Sequence, residues 1–121
     1  MKISRFEDIE AWKEARLLTN EIYCLLADCR DFGFRDQIQR AALSIMANIA
    51  EGFDRHTNKE FIQYLVVSRG SAAEVKSFLY AANDIGYITQ DKFQQLYSRC
   101  TKISNLLNGF IRYLRNTPRK H

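Results

Sequence analysis

One helical stripe carries the side chains most capable of chemistry. Gln37, Arg40, Ser44, Asn48, Glu51 and Arg55 recur at steps of three and four. At about 100° per residue they share one narrow helix face. A hydroxyl among cations, an amide and a carboxylate can act in three ways: as a nucleophile, as a ligand or RNA contact, or as a polar network fixing helix register. Nucleophilic attack by Ser44 needs a neighbouring base, and no histidine stands at a helical neighbour position. No catalytic residue is therefore assigned. Reflecting residue numbers about a turn near residue 55 sets Arg40 close to Gly70, Ser71 and Glu74. An Arg40–Glu74 ion pair is expected, with Ser44 and Asn48 hydrogen-bonding nearby. The network read from the pattern is Arg40, Ser44, Asn48, Glu51, Arg69, Ser71 and Glu74, structural in role.

The second feature is basic. The chain of 121 residues carries 18 basic and 14 acidic side chains, a net charge of +4. Arg112, Arg115, Arg119 and Lys120 lie in residues 112–121, which contain no acid and so account for the whole excess. Bases gathered at one end contact phosphate without reading sequence, so these four are the candidate nucleic-acid-binding residues. Tyr113 is the one aromatic among them, a thin basis for base stacking. His56 stands in a predicted turn and reads as solvated. Cys24, Cys29 and Cys100 fall on predicted helix positions and read as buried free thiols, with no C-x-x-C among them. Phosphate-loop and H-E-x-x-H patterns are absent, so no metal and no cofactor are expected.

These side chains need helices to hold them. Five Gly and one Pro, Pro118, leave few helix breakers, and no apolar run approaches a membrane span. The polar start MKISRFEDIE lacks a signal core, so a cytoplasmic, non-membrane location is expected. Helix 1 is predicted over about 6–30, opened by a Ser4–Glu7 capping box, with Trp12, Ala15, Thr19, Ile22, Leu26 and Cys29 inward. Asp31-Phe32-Gly33 is predicted to break it. Helix 2 covers about 34–53, with Ile38, Ala42, Ile45 and Ile49 inward. Thr57 and Glu60 form a capping box for helix 3, about 58–85, along which Phe61, Leu65, Ser68, Ala72, Val75, Leu79 and Ala82 alternate. Gly70 within that helix suggests a close helix approach, and Gly86 stops it. Helix 4 follows Thr89, with Phe93, Leu96, Cys100, Ile103, Leu107, Phe110 and Leu114 inward and a turn-like Asn108-Gly109 pair inside the pattern. Four such helices with short links predict an all-α, antiparallel up-down-up-down four-helix bundle over 1–117, with a basic tail at 118–121.

Two further apolar rows exceed what one bundle must bury. Leu43, Ala47 and Ala50 form one, and Ile62, Val66, Ala73 and Tyr80 the other. They are read as subunit contacts of a homo-oligomer.

The segments FEDIEAWKEA at 6–15, QIQRAALSIMANIAEGF at 37–53, NKEFIQYL at 58–65 and SRGSAAEV at 68–75 together resemble the four helix bundle protein family. Its members include proteins encoded in intervening sequences of bacterial large-subunit ribosomal RNA genes. The resemblance implies a bacterial cytosolic bundle that assembles as a ring, a homopentamer, with no enzymatic activity. The chain is also similar to the accessory proteins of diversity-generating retroelements, basic barrels that bind nucleic acid and a reverse transcriptase. Met46 stands where the family usually has proline, which implies a straighter helix 2. Residues and resemblance together lead to a non-enzymatic homo-oligomer that binds RNA or DNA through its basic end. The alternative is a scaffold that recruits a protein partner without nucleic acid.

Overall fold

The structure, a computed structural model, describes residues 3–117. It is an all-α, antiparallel four-helix bundle: α1 Glu10–Leu25, α2 Phe32–Phe53, α3 Asn58–Ile85 and α4 Gln90–Arg115. Each helix packs on its chain neighbours, and α1 closes the ring against α4. The tail predicted at 118–121 lies outside the described residues.

Helix ends follow the capping chemistry where the chain supplies it. Thr57 Oγ1 accepts from Glu60 N at 3.1 Å and donates to the Glu60 carboxylate, so α3 begins as predicted. Thr89 Oγ1 accepts from Lys92 N at 3.2 Å and opens α4. Gly86, at φ 91°, ends α3 in the left-handed conformation that suits glycine.

Around α1 the prediction fails. Ser4 caps nothing: Phe6–Asp8 form a short 3-10 turn, Arg5 ion-pairs with Glu7 and Asp8, and α1 starts only at Glu10. At its other end α1 stops at Leu25. Cys29 N is captured by the Leu26 carbonyl at 3.0 Å, and buried Leu26 anchors the reversal. The break therefore precedes Asp31, which instead N-caps α2 by accepting from Phe34 N at 3.2 Å. Gly33 sits inside the first turn of α2 and needs no unusual backbone.

The core follows the predicted seams. Ile38, Ala42, Ile45 and Ile49 of α2 are buried, as are all seven expected residues of α3. On α4 the seam holds through Leu107 and then advances four residues to Ile111, leaving Phe110 half-buried against Phe61 at 5.2 Å. A straight helix drifts against a strict seven-residue repeat, so a long seam must take an extra step of four. The Asn108-Gly109 pair does not interrupt α4. Two buried hydroxyls bridge helices: Ser68 donates to Ile45 O at 2.8 Å, and Thr19 reaches Ala42 O at 3.4 Å.

The expected close approach at Gly70 is absent. A Cβ there would meet nothing within 4 Å, whereas at Gly52 it would stand 2.7 Å from Tyr64 Cβ and 2.9 Å from Phe61 Cδ1. Gly52 is thus the residue that lets α2 and α3 touch. Gly52→Ala should lower the unfolding free energy by about 1–3 kcal/mol through overpacking. Gly70→Ala should raise it by about 0.5–1 kcal/mol. Urea melts of the two variants test this opposite pair of signs.

A latch joins the bundle's two turns at one end. Tyr87 donates to the Asp31 carboxylate at 2.7 Å. That bond pushes the Tyr87 phenol up to about 12 from 10.0 and holds Asp31 below its ordinary value, helped there by the Phe34 N–H. A raised phenol stabilises the fold fully below pH 10 and loses that contribution as pH climbs toward 12; the lowered carboxylate does the reverse in acid. Melting temperatures of Tyr87→Phe should show a shallower decline between pH 10 and 12 than wild type, the remainder coming from the other groups whose values are raised, Cys100 and Tyr80.

Candidate nucleic-acid interface

The stripe on α2 divides into three parts. At its centre Ser44 Oγ lies 2.9 Å from Ser71 Oγ, and Asn48 Nδ2 donates to Ser44 O at 2.8 Å and to Ser44 Oγ at 3.0 Å. These meet because the level pairs Ser44–Ser71 and Ile45–Ser68 reflect about residue 57, the capping threonine, rather than residue 55. Glu51 turns the other way and pairs with Arg55 at 2.9 Å, whose guanidinium lies over the Tyr64 ring. Arg40 and Glu74 line one shallow depression of about 570 Å³ with Gln37 and Ser44, and among the described residues no ion pair joins them. Both side chains point into solvent there, where a salt bridge gains little over hydration. Arg69 leaves the group entirely and donates to Asn108 Oδ1 of α4 at 2.8 Å.

Of the four basic candidates, Arg112 and Arg115 are exposed on the last turns of α4, while Arg119 and Lys120 lie outside the described residues. Cations there complement the helix dipole. Asn58 ties the start of α3 to this end, donating to Leu114 O at 3.1 Å and Thr117 O at 2.6 Å. Those bonds satisfy carbonyls that a helix terminus leaves open. They also set Lys59 beside Arg115 along a groove of about 500 Å³ that Ile62, Gln63 and Leu114 complete.

The charge of α4 is sorted by its neighbours. No acid follows Asp91 in the chain. Facing α1, Arg99 meets Glu14 and Glu21 at 2.7 Å each, and Lys102 meets Glu14 at 3.1 Å. Glu14 is only 12% exposed, so these α4 cations are neutralised within the bundle. Facing α3, the partners are neutral. Arg69 meets Asn108, Lys76 Nζ sits 4.7 Å from the Tyr97 ring centroid, and Asn83 meets Gln90. Tyr80 rests on Phe93 and Tyr97 with centroids 5.0 and 5.7 Å away. Its phenol titrates above the ordinary value, chiefly through its hydrogen bond with Tyr97. Lys59, Lys76 and Tyr97 were missed in the sequence. The acid-free run after Asp91, reflected about the α3–α4 turn, was the available signal.

The apolar rows expected at subunit contacts are uncovered in the single chain to different degrees. Leu43, Ala47, Val66, Ala73 and Tyr80 are exposed, and Ala50 and Ile62 are half-buried. Ile62 and Tyr80 are engaged with α4, whereas Leu43 and Val66 present bare side chains. The cysteines depart from expectation: Cys24 is exposed, Cys29 half-buried and only Cys100 buried, where desolvation pushes its thiol up to about 12 and keeps it protonated. Among the described residues, no group of three or more His, Cys, Asp or Glu is placed to hold a metal ion, and no helix is long and apolar enough to cross a membrane.

With this geometry in view, a family model described as 23S rRNA-intervening sequence protein matches residues 7–109. The chain belongs to that family. The match spans all of α1, α2 and α3 and most of α4, and stops just short of Arg112 and Arg115. A solved structure from Bacteroides thetaiotaomicron, described as a protein with unknown function from the S23 ribosomal protein family, is 25% identical. It superposes with a TM-score of 0.79 over 84% of this chain and 98% of its own. No curated protein matches. The family's four-helix frame is therefore shared, while the basic end of α4 lies at the margin of what is common.

The serine contact has a measurable consequence. Ser44→Ala and Ser71→Ala should each cost about 1 kcal/mol. The double variant should lose clearly less than the sum, because one hydrogen bond is counted in both. Additive losses in a denaturant double-mutant cycle would show that the two hydroxyls do not interact.

Proposed function

We propose that this family member is a non-enzymatic, self-associating bundle that binds RNA through the basic end of α4. The observation that carries the reading is the sorting of α4's cations. Those facing α1 are paired to buried-side carboxylates, while Arg112 and Arg115 take part in no ion pair among the described residues. Unpaired Arg112 and Arg115, the latter sharing a groove with Lys59, offer charge to phosphate, and Arg119 and Lys120 follow them in the sequence. Such a surface supplies affinity with little sequence preference.

Self-association is the second half of the proposal. Leu43 on α2 and Val66 and Val67 on α3 are 43%, 38% and 51% exposed. The polar Ser44–Ser71 strip runs between the two helices' outer faces, so these are two unlike patches rather than one. Unlike patches meet head to tail, and head-to-tail contacts close into rings when the rotation allows. A homopentamer is the ring that the family resemblance suggests, and repetition around it would multiply the basic ends.

A scaffold that recruits a protein partner is the competing reading. It is favoured by an apolar cleft of about 510 Å³ between the N-terminal segment and α4, lined by Ile3, Ile9, Leu106 and Phe110.

Binding of the full chain to RNA should weaken steeply with salt. Arg112→Gln and Arg115→Gln together should flatten the slope of log K against log salt by about one per lost phosphate contact. Both side chains are exposed, so far-UV circular dichroism should be unchanged. A slope identical to wild type would remove the end of α4 from the mechanism and favour the scaffold.

A further inference from the structure

The outer seam between α3 and α4 runs in rungs from one end of the bundle to the other. Lys59 and Arg115 line one groove, Arg69 donates to Asn108, Lys76 lies over Tyr97, Tyr80 leans on Tyr97, and Asn83 meets Gln90. No carboxylate takes part in any of these rungs. From Tyr97 to Arg115 the seam is about 27 Å long at 1.5 Å per residue. Cations are thus interleaved with an exposed ring, Tyr80, and a half-buried one, Tyr97, in contrast to the α1–α4 side, where Glu14 and Glu21 neutralise Arg99 and Lys102.

We propose that this seam holds single-stranded RNA, with a base stacking on Tyr80 and phosphates lying along Lys76, Arg69, Lys59 and Arg115. The inference rests on the nucleic-acid reading above and deepens it by naming the form of the ligand and where its bases go. Stacking needs bases out of a duplex, because an A-form helix hides base faces and its deep groove admits no side chains. Tyr80 is 53% exposed and is braced from behind by Phe93 and Tyr97, so its ring is held ready at little entropic cost. Rings beside Lys and Arg are the recurrent means of holding single strands. The amides of Gln63 and Gln90 add groups that can both donate to and accept from a ribose 2′-hydroxyl.

A second subunit is the rival occupant, since Ile62 and Tyr80 belong to an apolar row. Charge argues against it. Arg69 and Lys76 interrupt the row, and closing a subunit over them would desolvate two cations that have only neutral partners.

The test uses the full chain with two labelled probes, a short oligouridine and an RNA hairpin with a matched number of phosphates, read by fluorescence anisotropy. Tyr80→Ala should weaken oligouridine binding about ten-fold and leave the hairpin nearly unaffected. Tyr80→Phe, which keeps the ring, should bind oligouridine as wild type does, and Lys76→Gln should weaken it. If Tyr80→Ala and Lys76→Gln bind oligouridine normally while Arg112→Gln with Arg115→Gln does not, the seam is wrong and the basic end stands. If the wild-type protein binds neither probe, both readings fall together. If Tyr80→Ala lowers the sedimenting mass, the seam is a subunit contact and the proposal is overturned.

Discussion

The contact between α2 and α3 is the constraint on which the rest depends. Gly52 brings the two backbones together where any Cβ would strike Tyr64 and Phe61. Ser68 then spends its hydroxyl on the Ile45 carbonyl inside the core, where an unmade hydrogen bond would be costly. Ser44 and Ser71 repeat the coupling one turn away, at the rim. A glycine that must be matched to a gap, and hydroxyls that must be matched to acceptors, tolerate no sliding. Apolar side chains alone would allow several registers, because many greasy pairings have similar energies. The register of α2 on α3 in turn decides which residues of α3 are left to face α4.

That decision is what separates neutralised charge from available charge. Helix α4 is basic along most of its length, and its two flanks meet different partners. The α1 flank finds Glu14 and Glu21, so Arg99 and Lys102 serve the fold. On the other flank the cations belong to α3: Arg69 finds Asn108 and Lys76 lies against Tyr97 of α4, so both keep their charge beside neutral partners. A surface of this kind is pre-ordered without being satisfied, the condition in which a polyanion gains most from binding. The Asn58 amide holds the two helix ends in line, so the seam stays continuous down to Arg115.

Much of the fold was legible in the chain. The three-four alternation of α2 and α3 named their buried residues, and Thr57, Gly86 and Thr89 marked ends that the structure keeps. These are local signals: a period, a side-chain cap, a positive φ. Errors arose where tertiary contacts outweighed local preference. Ser4 looks like a cap, but Phe6–Asp8 form a 3-10 turn and α1 starts only at Glu10, and α1 ends at Leu25 because buried Leu26 anchors a reversal before the glycine arrives. Gly70 and Gly52 are indistinguishable as letters, yet only one lies at a helix crossing.

By itself, then, the sequence determined the class, the count of helices, the seams and the presence of an uncompensated basic end, since each follows from composition and spacing along one chain. It also brought the components of the polar stripe onto one face. Only the tertiary structure decided how those components were shared out: Ser44 to Ser71, Glu51 to Arg55, Arg69 to Asn108, and Arg40 and Glu74 to an open depression. The physical reason is that a partner on another helix depends on axial register and rotation together. A shift of one or two residues at the Thr57 turn, invisible to periodicity, changes which side chains come within hydrogen-bond reach.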